Sequence, residues 1–492
     1  MPPLKNETVS EVASQVTVPN YNRAELKTGI VHFGVGGFHR AHMAMAIDRL
    51  LSQGLAKDWA ICGVGLLEND KKMRDVMKEQ DCLYTLVLKH PDGRRESSII
   101  GSIVEYIFAP DNPQRLLDKL TNPDTKIVSL TITEGGYNFD SETGEFNAEN
   151  PIIVEELKPG AELKTAFGFI VEALRIRRDK GIAPFTVQSC DNIQANGDVA
   201  RKMFTAYARL VDQEFSNWMS ANVSFPNSMV DRITPVTTKE DIAEVAALTG
   251  LEDKWPVVAE PFFQWVIDDE FTLGRPPLEQ AGVQMVEDVM PYELMKLRLL
   301  NASHQGLTYF GYLGGYRYAH EATGDPDISK LLLRYMKEEA TPTLLPVPGV
   351  DLNLYQNTLI ERFSNPEVKD TLTRLCADSS DRIPKWLVPV IKRRLEQGGD
   401  VTLSAAIVAS WARYAEGTDE QGSPINIVDQ LKDELIPLAQ SQKTNPLAFI
   451  SNRKLFGNLI DDQRFTKPYL NALDSLHKLG AKATVAALVA KS

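Results

Sequence analysis

An apolar run, Gly29-Ile-Val-His-Phe33, leads straight into Gly34-Val-Gly-Gly37, and a helical stretch, Ala41–Ser52, follows. Strand, glycine turn and helix in direct succession constrain this chain more than any other feature. A turn without side chains lets the backbone come close to a pyrophosphate, and the helix that follows favours anions at its start. The pattern is Gly34-x-Gly36-x-x-His39, with His39 where a dinucleotide fingerprint carries its third glycine. The candidate cofactor contacts are therefore Gly34, Val35, Gly36, Gly37, Phe38, His39 and Arg40.

Further apolar segments continue the theme. Trp59–Leu66, Leu83–Leu88, Ile99–Phe108, Ile127–Thr133 and Phe185–Cys190 read as strands, with a charged helix over Asp70–Gln80. Strands alternating with helices predict a mostly parallel sheet, in which ligands lie beyond the carboxyl ends of the strands. Gly34–Gly37, Glu134 and Asn192 all stand at such ends. Glu68 and Asp70 follow the second strand, about 35 residues past the glycines instead of the usual 20 or so. They either grip an adenosine ribose, which favours NAD because a carboxylate repels a 2′-phosphate, or cap the next helix.

Past Met290 the spacing turns helical: Glu293–Gly314, Asp327–Glu338, Leu352–Phe363, Glu367–Cys376, Leu387–Glu396, Thr402–Ala415 and Ile425–Leu438. The expected fold is α/β, a Rossmann-type dinucleotide-binding domain over residues 1–287 followed by a mostly α-helical substrate-binding domain over 288–492. A length of 492 residues suits two cores better than one. A net charge of −13 argues against a nucleic-acid partner and for a soluble monomer. Four scattered cysteines without a C-x-x-C pair argue against a disulfide framework or a cysteine zinc site. His39-Arg40-Ala41-His42 lacks the glutamate of H-E-x-x-H, so no metal is expected. No apolar run has signal or membrane-span length, and a cytoplasmic enzyme without membrane partners is expected.

Lys296, Asn301 and His304 stand out in the helical half. At about 100° per residue they fall near 0°, 140° and 80°, on one side of a helix whose neighbours are Leu297, Leu299 and Leu300. Oxidation of an alcohol needs a base for the hydroxyl proton and donors for the developing alkoxide. A lysine becomes that base only where burial or nearby positive charge favours its neutral form. Asn301 and Asn192 offer amide donors, and His304 can orient a second hydroxyl. The plainer reading makes Lys296 a solvated helix end and the other two satisfied core groups. Asp231-Arg232 reads equally as a salt-bridged turn.

Six stretches together resemble the polyol-specific long-chain dehydrogenases. They are Gly34-Val-Gly-Gly-Phe-His-Arg-Ala-His42, Ser129-Leu-Thr-Ile-Thr-Glu-Gly-Gly-Tyr137, Ser189-Cys-Asp-Asn192, Ser224-Phe-Pro-Asn-Ser-Met-Val-Asp-Arg-Ile-Thr-Pro235, Trp255-Pro-Val-Val258 and Lys296-x4-Asn301-x2-His304. The resemblance implies a zinc-independent, NAD-dependent interconversion of a polyol and its ketose, with D-mannitol and D-fructose as the leading pair. It implies Lys296 as general base, Asn192 and Asn301 as holders of the oxyanion, His304 as the substrate-orienting residue and Glu134 as a carboxylate that assists proton passage. Thr131 and Asp70 would meet the cofactor, Asp231 both cofactor and substrate, and Arg374 and Arg382 the substrate. Arg382 stands where a lysine is expected, which keeps the charge and changes its shape. D-arabinitol, D-sorbitol and mannonate or fructuronate are alternative substrates within the family. A nucleotide-binding regulator without turnover is the alternative from another class, against which the intact Lys296, Asn301 and His304 set argues.

Overall fold

The β-branched and aromatic runs of the first 290 residues form eleven strands in the computed structural model, which describes residues 1–140 and 143–490. They are β1 (Thr28–Phe33), β2 (Ala60–Gly65), β3 (Tyr84–Lys89), β4 (Arg95–Ile100), β5 (Ile103–Phe108), β6 (Ile127–Leu130), β7 (Thr186–Ser189), β8 (Ser228–Asp231), β9 (Val257–Ala259), β10 (Gln264–Asp268) and β11 (Gln284–Val286). Five make one sheet in the order β5-β2-β1-β6-β7, with every pairing parallel. Alternate residues serve opposite faces. Ile30, Ile61 and Ile127 enter one apolar cluster, while Val31, Phe33, Cys62, Val64, Val128 and Leu130 enter another. Burial on both faces is why these strands read as unbroken apolar runs. The helix Met43–Ser52 contributes to the first cluster; Pro113–Thr121, Ala166–Asp179 and Asn196–Val211 contribute to the second. The chain runs outward from β1 through β2 to β5, then returns to β6 and β7. The switch point of this Rossmann-type sheet therefore lies between β1 and β6.

Two local expectations need correction. Ile99–Phe108 is not one strand: β4 and β5 belong to different sheets. The break at Gly101-Ser102 is fixed by Gly101 N–H donating to Asp48 (2.8 Å) and Ser102 Oγ donating to the Ala44 carbonyl (2.6 Å). The first helix also begins earlier, as Gly37–Ala41, and turns at His42 before Met43–Ser52. Besides the parallel sheet there are two three-stranded sheets, β11-β10-β8 and β4-β3-β9, both with mixed pairing.

By contact the chain divides into two units, Met1–Met290 and Pro291–Ser492. The second is built of helices. Leu352–Phe363, Val388–Glu396 and Thr402–Tyr414 lie where apolar spacing places them, while Ser379–Trp386, Gln463–Leu479 and Ala481–Ala490 were not read from the sequence. All four cysteines are buried and unpaired. Among the described residues no helix is long and apolar enough to cross a membrane.

The second unit contains a buried carboxylate with a measurable consequence. Glu339 is 1% exposed and accepts the N–H groups of Leu403 (2.7 Å) and Ser404 (2.8 Å), two donors of the first turn of Thr402–Tyr414 that lack partners within the helix. Burial nevertheless pushes its carboxyl up, from an ordinary 4.5 to about 7. With the folded value above the unfolded one, the native state binds the extra proton. Stability is then highest at low pH and declines as pH rises from 4.5 through 7. Glu339→Gln should therefore gain on the wild type across that window, by an amount on the order of 3 kcal/mol. Paired denaturation curves at pH 5 and 7.5 measure it, and an unchanged difference between the two proteins would contradict it.

Candidate active site

In the first unit the glycine turn is built around one hydrogen-bonded column. Gly34 has φ +89°, and a Cβ placed on it would lie 2.1 Å from the Thr131 carbonyl oxygen. Thr131 Oγ1 donates to the Gly34 carbonyl (2.6 Å), and His32 Nε2 lies 2.9 Å from the same hydroxyl. That hydroxyl has given its proton to Gly34, so His32 carries its proton on Nε2 and its Nδ1 accepts from Ser129 Oγ at 2.8 Å. Burial pushes His32 down to about 3, so the ring is neutral. His39 stacks on it with ring centroids 3.4 Å apart. His39 and Arg40 are each 1% exposed, and the Arg40 guanidinium reaches the Trp255 carbonyl and lies over the Tyr84 ring. Any ligand contact from these two positions belongs to their backbone.

The next two glycines differ from Gly34. A Cβ on Gly36 would meet nothing closer than the Gly34 oxygen at 4.0 Å, and one on Gly37 nothing closer than Thr234 Cγ2 at 3.6 Å. Packing within the unit does not require glycine at either position. At the end of β2, a Cβ on Gly63 would meet Val35 at 2.7 Å and one on Gly65 would meet the Tyr106 hydroxyl at 2.4 Å. Gly63-x-Gly65 is thus a second glycine pair at the carboxyl end of a strand, required by packing. Asp70 follows, and its Oδ2 accepts both Leu66 N–H and Leu67 N–H at 2.9 Å. The acid thus shapes the turn at the end of β2 with one oxygen.

Beyond β6 and β7 lie Glu134 and Asn192, both exposed. Between them is a residue the sequence reading passed over. Asp191 accepts Thr133 N–H on Oδ1 (2.8 Å), and Ile132 N–H (3.1 Å) and the Tyr137 hydroxyl (2.8 Å) on Oδ2. Asp231 ends β8 and is 5% exposed. Arg232 does not form the salt-bridged turn: its guanidinium donates to the carbonyls of Ala41 (2.6 Å), Glu260 (3.0 Å) and Pro261 (3.4 Å), tying the Asp231 segment to the end of the Gly37–Ala41 helix. Burial lowers Arg232 to about 10.

In the second unit Lys296, Asn301 and His304 are 7%, 6% and 8% exposed. Their helix is not regular. Met290–Met295 passes into a π-helical turn, Lys296–Asn301, and then into Ala302–Leu313. In an α-helix Lys296 and Asn301 diverge by about 140°. The wider π turn, with its i→i+5 bonding, narrows the divergence of residues five apart, and such turns occur often at functional sites. The Oδ1 of Asn301 is buried without a hydrogen-bond partner, which leaves one end of its amide for a ligand. The His304 ring packs 4.3 Å from that of Phe363.

Arg374 forms a fork with Asp370, through Nε (2.7 Å) and Nη2 (2.6 Å). Arg382 donates to the Leu375 carbonyl (3.0 Å) and lies 5.7 Å from the centre of the Trp386 ring. Their helices, Leu372–Cys376 and Ser379–Trp386, pack against the helix that carries Lys296, Asn301 and His304. Among the described residues no group of three or more His, Cys, Asp or Glu could hold a metal ion.

A parallel sheet with a glycine turn at its switch point, followed by a helical unit with a buried Lys-Asn-His helix, defines a Rossmann-type nucleotide-binding protein with a helical second domain. Residues 28–280 match the mannitol dehydrogenase Rossmann domain, and residues 288–477 match the mannitol dehydrogenase C-terminal domain. The chain belongs to the mannitol dehydrogenase family. It is 45% identical to a mannitol 2-dehydrogenase of Phaeosphaeria nodorum over 98% of this chain and 85% of that one. The ternary complex of Pseudomonas fluorescens mannitol 2-dehydrogenase with NAD and D-mannitol is similar with a TM-score of 0.88 and 43% identity, over 99% of this chain and 100% of that one. A D-sorbitol dehydrogenase in substrate-free form is similar with a TM-score of 0.90 and 38% identity, over 98% and 100% of the two chains.

Proposed function

We propose that this protein is an NAD-dependent dehydrogenase that oxidises D-mannitol to D-fructose and catalyses the reverse reduction, without zinc. The observation that carries the reading is a buried lysine, Lys296, and a buried asparagine, Asn301, at the two ends of one π-helical turn. The relative solved with NAD and D-mannitol supports the choice of cofactor and substrate.

When bound, NAD supplies the hydride acceptor. The backbone of Gly34–Arg40, the Thr131 segment and Asp70 would hold it, in the domain spanning residues 1–287. Lys296 takes the proton from the C2 hydroxyl, which only the neutral amine can accept. Asn192 and Asn301 hold the oxygen as it passes from hydroxyl to carbonyl. His304 orients a second hydroxyl. Glu134, on an exposed turn, passes the proton between Lys296 and solvent. Asp231, Arg374 and Arg382 take the remaining hydroxyls, the last two within the substrate domain of residues 288–492. The protein acts as a monomer in the cytoplasm; its charge of −13 supports the first of these, and gel filtration tests it.

Initial rates over a panel of polyols and ketoses, with NAD and with NADP, test the assignment. kcat/KM is expected to be highest for D-mannitol with NAD. The similarity to a solved D-sorbitol dehydrogenase makes D-sorbitol the second reading, and a tenfold or larger preference for it would reassign the substrate. No change in nicotinamide absorbance with any polyol would leave a binding protein without turnover. Dialysis against a strong chelator is expected to leave the rate unchanged. Loss of the rate on dialysis, with recovery on adding zinc, would replace the amine base with a metal-activated one.

A further inference from the structure

The turn after β6 holds a conformation its side chain disfavours. Thr133 has φ +62° and ψ 168°, a region that glycine enters freely and a residue with a branched Cβ does not. Such a residue persists only where its surroundings over-determine it. Here those surroundings converge on one side chain. Asp191 accepts the N–H of Thr133 on one oxygen and that of Ile132 on the other. The carboxylate is itself fixed by Tyr137, a fully buried residue whose hydroxyl donates to Asp191 and also lies 2.6 Å from Ser189 Oγ. The bonds join the ends of β6 and β7, neighbouring strands of the sheet. Glu134 is the next residue after Thr133, and Asn192 the next after Asp191.

We propose that Asp191 is a positioning residue for the dehydrogenase reaction: its carboxylate holds Thr133 in the disfavoured conformation and so fixes the turn that presents Glu134 in register with Asn192. The proposal rests on the dehydrogenase reading above. A carboxylate that merely closed the turn would have no need of a strained threonine. One that aims the next side chain does, because a relaxed Thr133 would send Glu134 in another direction.

The test is a four-protein cycle of wild type, Asp191→Asn, Thr133→Gly and the double variant. Melting temperature, NADH affinity, KM and kcat are measured for each with the best polyol. Asparagine keeps the shape but cannot accept on both atoms. Asp191→Asn is expected to fold, to bind NADH within about threefold of wild type and to lose about ten- to thirtyfold in kcat. Thr133→Gly alone should stay within about threefold, since glycine takes the same conformation unstrained. The double variant should recover most of the loss, which a merely structural role for Asp191 does not predict. A folded Asp191→Asn with kcat within twofold of wild type overturns the proposal, as does a double variant no faster than Asp191→Asn. If Asp191→Asn does not fold, Tyr137→Phe takes its place; it removes only the hydroxyl that fixes the carboxylate. A several-fold loss of kcat, restored by Thr133→Gly, supports the proposal, and no loss or no restoration overturns it. Turnover by the wild type, measured alongside, reports separately on the dehydrogenase reading.

Discussion

Replacing Lys296 with alanine is expected to lower kcat for mannitol oxidation by about a thousandfold while NADH affinity stays within about threefold. The expectation follows from where the residue stands. Lys296 belongs to the helical unit, whereas the glycine turn proposed to hold the cofactor belongs to the first. The substitution therefore removes the proposed base and leaves the glycine turn intact. Lysine also buries an aliphatic stem, so alanine opens a gap that could disturb the π turn by itself. Lys296→Met keeps the stem and removes the amine, and it should show the same loss of kcat as alanine. In both variants the limb of the pH–rate profile that reports the base should disappear. Stopped-flow hydride transfer and fluorescence titration with NADH make the measurement. A variant that turns over normally, or one that loses NADH binding but keeps its rate at saturating cofactor, would remove Lys296 from the chemistry.

The second large effect belongs to Gly34. Alanine there meets two penalties at once: φ +89° places it in a region that costs about 1–3 kcal/mol, and a Cβ 2.1 Å from the Thr131 oxygen forces the backbone apart at a further cost of about 1–3 kcal/mol. Gly34→Ala is therefore expected to lower the melting temperature by several degrees and to abolish NADH binding together with the fold of the turn. Gly36→Ala is the contrast. Its Cβ meets only open space out to 4.0 Å, so the protein should fold with an unchanged melting temperature. The new methyl would nevertheless stand where the cofactor backbone approaches, and NADH affinity should fall by about tenfold or more. A Gly34→Ala protein as stable as wild type would contradict the first half. A Gly36→Ala protein with undiminished NADH affinity would show that the open space is not the cofactor's.

Much of this could be read along the chain, because the signals are local. Apolar runs buried on both faces mark β1, β2, β6 and β7, and the polar residues that follow them fall at the carboxyl edge by topology alone. The helical spacing after Pro291 similarly marks Leu352–Phe363 and Thr402–Tyr414. Other features carry no local signal. Nothing in Ile99–Phe108 shows that a carboxylate about 50 residues upstream, Asp48, fixes the break between two sheets. Arg232 looked like the partner of its neighbour Asp231 but serves three distant carbonyls. Regular periodicity already put Lys296 and Asn301 on one side of a helix, but nothing local showed that a π turn joins them.

The sequence alone determined the parallel sheet, the glycine turn at the end of its first strand, the helical second half and which side chains could do alcohol chemistry. Those depend on residue character and on neighbours a few positions away. Only the tertiary structure decided that Gly34 serves packing while Gly36 leaves room, that Asp70 shapes its own turn, and that Asp191 holds Thr133 in place across 58 residues of chain. A hydrogen bond or a steric limit between segments far apart exists only once the backbone has brought them together. No pattern along the chain records which buried group will find which partner.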